Sequence, residues 1–159
     1  MTSRTGRRGF ALIELLISVA ILALLAGGAM TFVDLAVQRG NEQELRADLR
    51  EIRQAIDAYK QAWDAGRITH VVGETGYPRT LSDLTDGVVD ARSAKGARIY
   101  FLRRLPRDPM ADAALAPEAT WGLRSYDSPP DNPQPGRDVF DVHSLSARKG
   151  LNGQPYEAW

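Results

Sequence analysis

The chain contains no cysteine. No disulfide can staple it, so whatever folds must be held by core packing or by a bound ion. Only two histidines occur, His70 and His143. Neither is accompanied by a serine-nucleophile motif, a metal-binding triad or a phosphate-cradling glycine loop. His143 follows Asp141 by two residues, so in a strand both point to one face, as an acid–base pair or as two residues of a solvated face. No catalytic residue is assigned, and an enzyme is not expected. No basic stripe with interleaved aromatics is present, which argues against a nucleic-acid partner. Charge of one sign is not in excess: 20 basic residues face 20 acidic ones. At 159 residues the chain has room for one membrane segment and one small domain.

One stretch lacks almost every polar group. From Phe10 to Val33 the sequence is nearly all apolar and has no proline. About 24 helical residues reach roughly 36 Å, enough for a hydrocarbon core of about 30 Å. Arg4, Arg7 and Arg8 precede the run and no cation lies inside it. That asymmetry predicts a cytoplasmic N-terminus and an exported C-terminal part. A plain signal anchor fits, as does a cleaved secretory signal, for which Ala26-Gly27-Gly28-Ala29 offers small residues. Glu14 fits neither. A charge in a membrane helix costs roughly 2.5–3.5 kcal/mol on insertion scales and calls for a partner.

The segment Arg7-Arg8-Gly9-Phe10-Ala11-Leu12-Ile13-Glu14, with the apolar run it opens, resembles the N-terminal signature of type IV pilins and type II secretion pseudopilins. The resemblance implies a leader, residues 1–9, cut after Gly9 by a prepilin peptidase. It implies N-methylation of the new N-terminal residue, Phe10. It also supplies a partner for Glu14. The α-amino group of a neighbouring subunit's Phe10 is cationic near neutral pH. Pairing it with Glu14 relieves both charges of the cost of standing alone at low dielectric. Loss of the leader leaves 17 basic against 20 acidic residues, a net charge of −3. Ser18, Gly27, Gly28 and Thr31 suit close helix packing. The Gly27-Gly28 pair is a candidate for local unwinding where related pilins carry a proline.

Residues 34–65 turn polar but keep a helical pattern. Leu45, Leu49, Ile52, Ile56, Tyr59 and Trp63 recur at alternating spacings of four and three. They lay one apolar stripe down a helix. Gly66 is a stop signal and Gly40 a place for a bend. Leu49 to Lys60 also resembles the corresponding helix of the major pseudopilin.

Residues 66–159 read as the globular domain. A short helix is expected over Thr80–Leu84, capped by Thr80 or Ser82. Three strands are expected, at 99–102, 121–126 and 138–145, with a long loop over Ser128–Gly136. The prolines at 106 and 109 make the intervening piece an ordered turn. The fold class is α+β: a long N-terminal helix packed on a small three-stranded antiparallel sheet. The Leu105-Pro106-Arg107-Asp108-Pro109 turn and the two segments after it resemble the C-terminal half of pseudopilins. The missing disulfide leans toward that branch over the pilins.

Major pseudopilins hold calcium in the loop after the last strand. Here that loop, Ser144–Gly153, has Arg148 and Lys149 and no carboxylate. A hard cation needs six to eight oxygens, several of them charged. No family-type metal site and no cofactor are expected, and Tyr156 and Trp159 are expected to pin the loop by packing. Asp127, Asp131, Asp138 and Asp141 are the nearest residues for a displaced site. The resemblance, most like a G-type pseudopilin, implies a subunit of a type II secretion pseudopilus that helps drive protein export across the outer membrane. Its implied partners are other pseudopilins and further copies of itself, prepilin peptidase, the inner-membrane assembly platform and membrane lipid. The implied location is the inner membrane, single-pass, with a periplasmic domain. A minor subunit, a minor pilin of a type IV pilus and a signal-anchored periplasmic domain remain alternatives.

Overall fold

The computed structural model describes residues 7–159, the side chains of 7–11 and 25–32 excepted. The leader residues 1–6 lie outside the described residues, as do the side chains of Phe10, Thr31 and the residues between Leu24 and Thr31. The chain divides into two compact units, residues 1–40 and residues 41–159.

A single helix, α1 (Arg7–Asp64), contributes to both. Gly27, Gly28 and Gly40 are all helical, so the unwinding expected at Gly27-Gly28 does not occur here. In the first unit Leu12, Ile13, Leu15, Leu16, Ile17, Val19, Ile21, Leu22 and Leu24 all stand exposed. An apolar surface on every side of a helix is one that lipid or neighbouring helices must cover. Among the described residues no helix is long and apolar enough to cross a membrane. The run expected to do so, 10–33, includes ten residues whose side chains are not described.

In the second unit α1 presents its stripe to the core. Leu45, Leu49, Ile52, Ile56, Tyr59 and Trp63 are all buried, Leu45 and Ile52 completely. Gly66 takes a left-handed conformation and its N–H meets Trp63 O, which ends the helix as expected. After it come α2 (Ser82–Asp86), β1 (Val88–Val89), β2 (Arg98–Ile99), a 3₁₀ turn (Pro117–Thr120), β3 (Trp121–Arg124), β4 (Asp141–Ser144) and a last 3₁₀ turn (Tyr156–Ala158).

The architecture is α+β, with the strands set out as two antiparallel pairs, β1-β2 and β3-β4, in place of one three-stranded sheet. The reason lies in the chain between them. Pro106 and Pro109 follow β2 closely and lack the N–H that a ladder needs. Ile99 therefore pairs back to Val88, and Trp121 pairs with Ser144. α2 also differs at its start. Neither Thr80 nor Ser82 caps it; Asp83 reaches back to accept the N–H groups of Arg79 and Thr80 at 2.9 and 3.0 Å. The core gathers Leu81, Leu84, Leu102, Trp121, Val139, Val142 and Tyr156 against the α1 stripe.

Candidate functional site

The residues expected to be processed sit at the start of α1. Gly9 and Phe10 fall within its first turns, and their side chains are outside the described part. Glu14 is described and exposed, one turn before Ser18, whose hydroxyl donates to Glu14 O at 2.8 Å. Its carboxylate is the one formal charge on α1 between Arg8 and Asp34. Ringed by exposed leucine and isoleucine, it can be neutralised by a cation brought by another chain.

In the second unit the C-terminal tail is tied to α1 by polar groups. Arg53 is one knot. Its Nε donates to Asp141 Oδ1 at 2.7 Å, and its Nη2 donates to Val142 O at 2.9 Å and Trp159 O at 2.8 Å. Arg46 lies over the Trp159 ring, 4.2 Å from its centre. Glu42 is the second knot. It is 5% exposed, and its Oε1 accepts the Leu151 N–H at 2.8 Å and the Tyr156 hydroxyl at 3.0 Å. Tyr156 is fully buried and meets Trp159 edge to face, ring centres 5.0 Å apart. The tail does pin the loop by packing, and the two charged residues of α1 add to it. Glu42 and Arg53 were not singled out by the sequence reading. The signal for Glu42 was present: it lies three residues before Leu45 and so extends the apolar stripe by one place.

The expected turn at residues 105–109 carries another buried carboxylate. Asp108 accepts the Ser144 hydroxyl at 2.5 Å and the Met110 N–H at 2.7 Å, and its own N–H donates to Thr120 Oγ1. Beside it a groove of about 660 Å³ is lined by Glu44, Asp48, Glu51, Arg104 and Arg107. Burial, and then the charges of Glu44 and Glu51, push the Asp48 carboxyl up to about 6.

The aspartates proposed for a displaced metal site are each engaged elsewhere, Asp131 excepted. Asp138 accepts from Thr75 and from the Tyr126 N–H. Asp141 pairs with Arg53 and lies 3.7 Å from Arg124, and Asp127 pairs with Arg137. Among the described residues no three histidine, aspartate or glutamate side chains gather as a metal site requires. The loop after β4 is closed by its own hydrogen bonds. Its carbonyls at Arg148, Gly150 and Gln154 accept loop N–H groups, and the Leu151 N–H points at a protein carboxylate. Burial holds His143 below its ordinary value, with Asp141 opposing. Asp141 itself is engaged by Arg53 and lies near Arg124. His70 stacks on Trp63, ring centres 4.5 Å apart.

Residues 4–30 match the prokaryotic N-terminal methylation motif. The chain is similar to the type II secretion system core protein G of Klebsiella michiganensis, 26% identical over 67% of this chain and 70% of the relative. It is 31% identical to the protein of the same name from Klebsiella pneumoniae, over 65% of this chain and 69% of the relative. The chain belongs to the type II secretion core protein G family. No solved structure matches it. This pseudopilin is a structural subunit, it assembles with other pseudopilins, and its methylation motif marks it for prepilin peptidase.

Proposed function

We propose that the subunit is anchored in the inner membrane by residues 10–33, cut between Gly9 and Phe10, methylated on Phe10 and then drawn into a periplasmic pseudopilus. Filament growth from an inner-membrane assembly platform pushes exported proteins toward the outer membrane. The chain carries out no chemistry of its own and binds no nucleic acid.

The observation that carries this reading is Glu14. One carboxylate stands in a stretch of α1 whose described neighbours are exposed and apolar. Lipid cannot satisfy it, and a signal sequence gains nothing from it. The methylated amino group of a neighbour's Phe10 satisfies it and at the same time sets the step between subunits. Substitution Glu14→Ala tests the role. Membrane insertion, followed by fractionation, should persist. Incorporation into sheared filaments should fall at least tenfold. Filaments containing the variant at wild-type levels would remove the role given to Glu14.

A further inference from the structure

The loop after β4 poses a problem that burial makes sharp. Residues 145–155 have little apolar material, two cations and a donor-rich backbone, yet they close over a fully buried Tyr156. A loop of this kind needs a fixed negative centre to gather it. The structure puts one there from the other side of the domain. Glu42, on α1 more than a hundred residues away in sequence, places one carboxylate oxygen on both the Leu151 N–H and the Tyr156 hydroxyl. Within the loop the remaining amides close on one another: Gly150 N–H on Gln154 O, Tyr156 N–H on Arg148 O, Gln154 N–H on Asn152 Oδ1. Gly150 is pressed against Trp159 and Tyr156, where a Cβ would lie 2.5 Å from Trp159 Cζ2.

We infer that Glu42 fastens this loop in the way a bound divalent cation fastens a calcium-holding one, so that the folded subunit needs no divalent cation. The charges are inverted. A calcium loop brings carboxylates and carbonyls to a central cation. This loop brings N–H and O–H donors to a central carboxylate, and its Arg148 and Lys149 are then compatible with the site. A buried carboxylate left without such donors is strongly destabilising, so the clamp and the loop require each other. The inference concerns the C-terminal loop alone and is independent of how the N-terminus is processed.

The test uses the full chain in detergent micelles, in excess chelator and in millimolar calcium. Wild type should melt at the same temperature in both. Its Leu151 amide should exchange slowly in both. Glu42→Ala should lower the melting temperature by roughly 5–10 °C and expose the Leu151 amide, with calcium restoring neither. Tyr156→Phe keeps the ring and removes one donor. It should fold, melt a few degrees lower and leave the Leu151 amide protected in chelator. Calcium raising the wild-type melting temperature by several degrees would overturn the inference. So would rapid Leu151 exchange in wild type or Tyr156→Phe under chelation, or an unchanged Glu42→Ala.

Discussion

Single residues on α1 divide into those that repay their burial and one that does not. Arg53 and Glu42 each satisfy several tail groups, and a charge-assisted hydrogen bond is about twice as strong as a neutral one. Asp48 is the exception. Partial burial and the nearby Glu44 and Glu51 raise its folded value to about 6, from 3.8. A raised carboxyl means that the folded state holds its proton more tightly than the unfolded chain. Its contribution is therefore most favourable below pH 3.8 and is lost as pH rises toward 6. Asp48→Asn should raise the melting temperature at pH 7 by a few degrees. The gain should shrink as pH falls and vanish near pH 4, read by thermal scans across that range. An equal gain at every pH would assign the effect to packing.

At the scale of elements, the stripe and its C-terminal stop were legible and its N-terminal end was not. Leu45 to Trp63 keep the helical period, and all six are buried. Glu42 keeps the same period but is charged, so it reads as the edge of the stripe, although it lies in the interior. β1 was missed because two residues, Val88 and Val89, behind a glycine carry no alternation to detect. The pairing of Ile99 with Val88 was illegible for another reason: a ladder partner is set by tertiary geometry and leaves no mark on either segment. Glu14 stands out in the sequence as a carboxylate inside an apolar run, and it is exposed among apolar side chains. The clamp on the terminal loop was visible only as a deficit, the missing carboxylates of Ser144–Gly153.

The join between α1 and the loop after it can be tested directly. Gly76 has φ +88°, and a Cβ there would lie 2.7 Å from Trp63 Cδ1. Gly76→Ala combines a left-handed conformation with overpacking and should cost about 2–4 kcal/mol. Chemical denaturation would measure it. A loss below about 0.5 kcal/mol, the usual range for a neutral surface change, would show that the loop shifts freely over Trp63.

The whole molecule consists of a helical unit with an unsatisfied apolar surface and a unit with a core of its own. The second unit spends its charges internally, on Arg53–Asp141, Arg67–Asp90 and Glu42 with the tail. In the first the described leucines stand exposed, with Glu14 among them. In the proposed reading, cleavage after Gly9 exposes the α-amino group that pairs with Glu14, and maturation is thereby coupled to assembly. The central claim is tested most directly by an intact mass of the protein taken from membranes of cells that contain prepilin peptidase. The account predicts a chain that begins at Phe10 and is heavier by one methyl group. A chain that begins near Met30 would contradict it, because signal peptidase would then have removed Glu14 together with most of the apolar run.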